Sequence, residues 1–61
     1  MKYKTFIRSC TDFASMARAR KMWQDNGLTY EQAQQRCDDY NNARNARQIR
    51  KGTKMEFVAD A

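Results

Sequence analysis

Residues 25–29 are Asp25-Asn26-Gly27-Leu28-Thr29, and this junction carries the strongest local information about the fold. Glycine readily adopts the left-handed conformation that commonly follows a helix, so we expect a helix to end near Asn26. Thr29 and Gln32 have the Thr-x-x-Gln spacing of a capping box, which starts a second helix. The junction therefore predicts two helices that meet at a tight corner.

The helix before the junction is predicted from its apolar spacing. Thr11 is the expected N-cap. A helical face then recurs at three- and four-residue intervals, formed by Phe13, Met16, Ala17, Arg20 and Trp23. We expect the aromatic rings of Trp23 and Tyr40 to lie in the core, as members of such faces usually do.

The helix after the junction has an apolar stripe of Tyr30, Ala33, Cys37 and Tyr40. Asparagines 41 and 42 are poor helix formers, so this helix is expected to weaken near Ala43. Asn45 to Gln48 would then cap a short extra turn that ends at Gly52. A helix that continues to Lys51 is the less favoured alternative.

Both terminal segments have the alternating pattern of strands. Residues Tyr3 to Cys10 form the first predicted strand and Lys54 to Ala59 the second. The fold class is therefore α+β, a single domain over residues 1–61. Its expected order is strand, helix, helix, short turn and strand, with a two-stranded antiparallel sheet covered by a helical hairpin. Because so small a sheet is only marginally stable, we also predict a homodimer.

A DNA-binding helix-turn-helix is the alternative to a plain helical hairpin. Gly27 and Leu28 fit the turn of that motif. The outward side of the second helix would, however, present Glu31, Asp38 and Asp39 to the phosphates. The plain hairpin is therefore favoured.

The charge balance favours an acidic partner. Twelve Lys and Arg residues against seven Asp and Glu residues give a net charge of +5. Such an excess in a small domain suits a nucleic acid, a nucleoprotein or an acidic protein surface. Solubility alone is the competing explanation.

The best candidate contacts lie in one cationic segment. It contains Arg44, Arg47, Arg50 and Lys51, and no acidic residue occurs between Tyr40 and Glu56. Asparagine and glutamine side chains among these cations are suited to hydrogen bonds with phosphates or bases. A solvated connector is the alternative interpretation.

Two further pairs of residues complete the candidate sites. Arg18 and Lys21 form a smaller cationic group that would assist the first. Tyr3 and Phe6 fall on opposite faces of the first strand, so one of them is expected to be exposed as a protein interface.

Several chemistries are excluded by residue types. The chain has no histidine and only Cys10 and Cys37, so it lacks the ligands of a zinc site and the base of a Cys-His hydrolase. It has no phosphate-binding glycine loop. We therefore expect no catalysis, no metal and no cofactor. With no apolar run for a signal peptide or a membrane span, the expected location is the cytoplasm, with reduced thiols.

Three segments together resemble small orphan proteins encoded by bacteriophages: Lys4 to Cys10, Gly27 to Ala33 and Gln48 to Phe57. The resemblance lies in style and segment order and includes no functional motif, so it assigns no residue a role. It implies host takeover or anti-defence activity, such as anti-CRISPR inhibition, in the host cytoplasm. The basic charge argues against DNA mimicry.

The sequence thus leaves a favoured function, one alternative and a third possibility, which is a subunit of a larger phage assembly. The favoured one is a non-enzymatic module that binds a negatively charged macromolecule, either nucleic acid or nucleoprotein. The alternative is a phage-type inhibitor that blocks an interface of a host protein.

Overall fold

The computed structural model describes residues 1–11 and 18–60. Within these ranges the chain forms a three-stranded antiparallel sheet and two helices. The elements in chain order are β1 (Tyr3–Ser9), β2 (Met22–Trp23), α1 (Tyr30–Asn42), α2 (Ala46–Arg50) and β3 (Thr53–Ala59). The α+β class and the antiparallel pairing of the terminal strands are confirmed. No helix in the described residues has the length and apolarity needed to cross a membrane.

Strand β1 lies in the centre of the sheet, between β2 and β3. It pairs with β3 along its whole length, from Tyr3 opposite Ala59 to Ser9 opposite Thr53. On its other side, Phe6 lies opposite Trp23, and Tyr3 forms an isolated bridge with Leu28. Both sides of β1 are therefore hydrogen-bonded to neighbouring chain, which makes it the most firmly held element.

Strand β2 replaces the end of the helix that the sequence predicted up to Asn26. Residues 12–17 of that prediction lie outside the described residues, but Met22 and Trp23 are extended and no helix ends at Gly27. The reason is long-range pairing: the backbone N–H of Gln24 donates to the carbonyl of Thr5 at 2.9 Å, and the N–H of Thr5 donates to Asp25 at 2.9 Å. The predicted two-stranded sheet and helical hairpin are therefore wrong at this junction, and the less favoured helix-turn-helix fails with them.

Gly27 has the predicted left-handed conformation, but it does not follow the end of a helix as the sequence suggested. Its φ is +65°, in the left-handed region, yet here it reverses an extended segment into α1. Thr29 then caps α1 with the predicted box. Its side-chain oxygen accepts from the N–H of Gln32, and the side-chain oxygen of Gln32 accepts from the N–H of Thr29. The capping box thus fixes the start of α1 whatever precedes it.

Helix α1 packs on the sheet through the predicted apolar stripe. Ala33 and Cys37 are buried, Tyr40 is half-buried and Tyr30 is exposed over half of its surface. Tyr30 still meets the rings of Tyr3 and Phe57, each edge to face, at 5.6 and 5.5 Å between ring centroids. Such pairs each contribute about 0.5–1.5 kcal/mol beyond burial, so they hold the first turn of α1 against the sheet.

The predicted break after α1 is confirmed. Ala43 is the C-cap of α1, and Asn45 starts α2 with a second capping box to Gln48. Helix α2 ends at Arg50, and Gly52 follows with a φ of +71°. The backbone of Gly52 lies against Cys10, so closely that a Cβ atom would stand 1.7 Å from the Cys10 carbonyl oxygen. This corner therefore places α2 at the end of β1.

The outer side of β3 is held by side chains from the end of α1. The Asn41 amide donates to the Met55 carbonyl at 3.1 Å, and its oxygen accepts from the Met55 N–H at 2.9 Å. These two bonds have the same donor and acceptor pattern as a residue of a paired strand. They lock the C-terminal turn of α1 to the sheet.

Candidate nucleic-acid interface

Three of the four cations in the predicted segment lie on one side of α2. Arg47 and Arg50 are three residues apart and Lys51 is four from Arg47, which are the spacings of neighbours on a helix surface. All three are exposed. Among residues 1–11 and 18–60, no ion pair involves any of them. We call Arg47, Arg50 and Lys51 the α2 cationic face.

Arg44, the fourth cation of the segment, is engaged within the fold. Its Nε donates to the Asn41 carbonyl at 2.9 Å and its Nη1 to the Thr53 carbonyl at 3.1 Å. The side chain is half-buried, and it links the end of α1 to the start of β3. Its geometry is that of a structural hydrogen-bond donor, which the sequence grouping did not distinguish from its neighbours.

The smaller cationic group, Arg18 and Lys21, lies in the segment just before β2. Arg18 is exposed in a turn. Lys21 is exposed beside β2, where its Nζ lies 5.1 Å from the Phe6 ring centroid and 5.9 Å from that of Trp23. Lys21 therefore belongs to an aromatic surface of the sheet, on the face opposite α1.

Neither predicted interface aromatic is freely exposed. Tyr3 is half-buried on the α1 side, where its ring also meets Phe57 at 5.8 Å. Phe6 is only 3% exposed, because the strand register places it opposite Trp23 and the two rings meet at 5.2 Å. Trp23, which was expected in the core, is instead 50% exposed.

Trp23 lies in a cationic and polar setting that the sequence interpretation missed. The Lys4 ammonium lies 4.3 Å from the Trp23 ring centroid and forms a 3.8 Å ion pair with Asp60. Beside the ring is a cleft of about 240 Å³. We call it the tryptophan cleft; its lining consists of Lys4, Trp23, Gln24, Asp25, Asn26 and Asp60. The alternation of β1, which puts Lys4, Phe6 and Arg8 on one face, was the available sequence clue.

The other cations of this sheet face are paired. Arg8 and Glu56 form an ion pair with an Nε–Oε2 distance of 2.5 Å, and Lys54 approaches the same carboxylate at 3.6 Å. The guanidinium of Arg8 also lies 5.6 Å from the Phe6 ring. This arrangement neutralises Glu56 and leaves the face with an excess of positive charge.

Cys10 and Cys37 form no disulfide, and the thiol of Cys37 has low reactivity. Cys37 is buried under α1, and burial raises the pKa of its thiol above the ordinary value of 9.0, with the Asp38 and Glu56 carboxylates adding to the effect. Cys37 is therefore protonated at neutral pH and a poor nucleophile. The part of the chain that the structure describes holds no group of three or more residues able to ligate a metal.

Comparisons with protein-family models, with curated proteins and with solved structures found no match to this chain.

Proposed function

We propose that this protein is a non-catalytic module that binds nucleic acid, free or within a nucleoprotein, through the α2 cationic face. The observation that supports this most is the joint placement of Arg47, Arg50 and Lys51. They share one side of a helix, they are exposed, and within the described residues no carboxylate pairs with them. Arg18 and Lys21 add to the net positive charge of the protein, which attracts a nucleic acid.

The α2 cationic face suits the successive phosphates of a nucleic-acid strand. Arginine forms two parallel hydrogen bonds with a phosphate, and α2 presents two arginines one turn apart. The side-chain oxygens of Asn45 and Gln48 accept the two backbone bonds of the capping box, so these acceptors orient the helix and are not available to bases. We therefore expect the affinity of this face to come mainly from electrostatic contacts with phosphates and to depend little on base sequence.

The test is binding to random-sequence single- and double-stranded DNA and RNA at about 50 and 200 mM salt. If three phosphates are neutralised, this fourfold rise in salt weakens duplex binding roughly 40-fold. Replacing Arg47, Arg50 and Lys51 together by alanine should remove most of the affinity and most of the salt dependence. Fluorescence anisotropy of an end-labelled oligonucleotide measures both.

A charge-matched control separates the α2 cationic face from net charge. Replacing Lys2, Arg20 and Lys54 by alanine gives the same net charge of +2, from +5 less 3, but leaves both α2 and the lining of the tryptophan cleft intact. We expect this variant to keep most of the affinity. Equal losses in the two triple variants would show that net charge alone binds. Absence of binding at 50 mM salt would overturn the proposal and favour a host protein as the partner.

A further inference from the structure

The tryptophan cleft is a second polar and aromatic site on the molecule, separate in sequence from α2. It combines the half-exposed Trp23 ring with the Lys4 ammonium and with the amides of Gln24 and Asn26. At about 240 Å³ it falls below the ~300–1,000 Å³ of sites for drug-sized ligands. A single planar ring system is the size of ligand that it suits.

We propose that this cleft takes an unpaired base of a single-stranded nucleic acid, stacked on Trp23, with the neighbouring phosphate on Lys4 or Lys21. The proposal rests on the proposed nucleic-acid binding and names its preferred form. Aromatic rings beside cations are the usual platform for single strands, because every base has a face that can stack.

The ring of Trp23 is already contacted by Lys4, so stacking has to displace that contact. An exposed cation–π contact is worth about 0.5–1 kcal/mol, whereas a stacked base contributes about 1–3 kcal/mol. The displaced ammonium gains a phosphate as its new partner. The exchange therefore favours the stacked base.

The two carboxylates that line the cleft are neutralised to different degrees. Asp25 is paired with Arg36 at 2.5 Å and stays paired when a base stacks, whereas Asp60 has to share Lys4, at 3.8 Å, with the incoming phosphate. Gln24 lines the cleft, and its amide nitrogen donates to the Met22 carbonyl at 3.2 Å, so its oxygen is not used in that bond and can accept from a ligand. The site thus offers hydrogen-bond acceptors to a base and cations to its phosphates.

A duplex cannot use this cleft without unstacking a base. The α2 cationic face, in contrast, contacts phosphates and accepts single strands and duplexes alike. The α2 cationic face alone would bind single strands and duplexes equally well, and the cleft adds a preference for single strands.

Trp23 is the only tryptophan of the chain, so its fluorescence reports on the cleft directly. We would titrate the protein with a 12-nucleotide single strand and with the corresponding duplex at equal absorbance. The single strand should quench Trp23 and the duplex should not. By anisotropy, Trp23→Ala should weaken single-strand binding roughly 5- to 150-fold and leave duplex binding within about twofold.

Two further variants keep the test independent of misfolding. Trp23→Tyr retains a stacking ring against Phe6 and should retain the single-strand preference. Tyr30→Ala removes an equally exposed aromatic, 51% against 50%, from the α1 side and should leave the preference unchanged. Circular dichroism checks the fold of each.

The outcomes separate this inference from the proposed function. Binding that depends on α2, without quenching of Trp23 and without a single-strand preference, would overturn the cleft and leave the proposed function standing. No binding to any nucleic acid would overturn both. Quenching together with a selective loss in Trp23→Ala establishes the cleft.

Discussion

The α2 cationic face and the tryptophan cleft both involve cations, but these cations are held in different ways. Arg47, Arg50 and Lys51 project from a short capped helix, and no carboxylate of the described residues pairs with them. Lys4 of β1 and Lys21, which directly precedes β2, instead lie against aromatic rings. The cations of the α2 cationic face can bind a ligand directly. At the tryptophan cleft, Lys4 first has to leave the Trp23 ring.

This difference shows that net charge does not identify which cations can bind. In the segment from Arg44 to Lys51, Arg44 donates hydrogen bonds to two backbone carbonyls, whereas the other three cations lie exposed. Exposure and hydrogen-bond partners make the distinction, and both depend on residues distant in sequence. The following variants test it, from the largest expected effect to the smallest.

The corner that supports α2 should be far less tolerant than the corner beside the cleft. In Gly52→Ala the new Cβ would overlap the Cys10 carbonyl at 1.7 Å in a left-handed conformation, so we expect a loss of more than about 3 kcal/mol. Gly27→Ala has the same type of φ but nothing within 4 Å, so it should cost about 1–2 kcal/mol. Urea denaturation followed by circular dichroism measures both; equal losses would refute the steric explanation.

Two arginines three residues apart should separate stability from binding. Arg44→Ala leaves two carbonyls without a donor and should cost about 1–2 kcal/mol, the usual value for a charged donor reduced for a half-buried site. Arg47→Ala should change stability by less than about 0.5 kcal/mol and weaken nucleic-acid binding instead. Thermal melting and anisotropy are the two measurements. An Arg44→Ala variant as stable as the parent would contradict the structural role of Arg44.

The two capping boxes should have the same effect on stability and different effects on binding. Thr29→Ala and Asn45→Ala each remove an N-cap and should each cost about 1 kcal/mol. Only Asn45→Ala frays α2, so only it should lower the affinity, by up to about fivefold. If Thr29→Ala lowers the nucleic-acid affinity as much as Asn45→Ala does, the binding role of α2 is contradicted.

The elements predicted from the sequence are those that local chemistry determines. The Thr29 and Asn45 capping boxes, the left-handed Gly27 and Gly52 and the alternation of β1 and β3 each depend on a few adjacent residues. Strand β2 was missed because Met22 and Trp23 are held by pairing with β1, which helical spacing does not reveal. Trp23 fitted the helical face by its position and was assigned to the core for that reason.

The candidate site divides in the same way. The cations of α2 were visible as a run without acids, since charge is a property of sequence. The engagement of Arg44 and the cleft beside Trp23 were not visible in the sequence. Arg44 has to meet Thr53 in another element, and the cleft has to bring Lys4, Trp23 and Asp60 together from three parts of the chain. Once β2 is known to lie beside β1, the grouping of Lys4, Lys21 and Trp23 follows.

The Asn41 side chain has a consequence for how copies of this chain can associate. By satisfying both polar groups of Met55, it acts as a one-residue substitute for a fourth strand and closes that part of the sheet edge. A second molecule that added its own strand there would first have to break both bonds. The homodimer predicted from the small sheet would therefore have to form elsewhere, and at the first half of β3 the fold resists open-ended polymerisation.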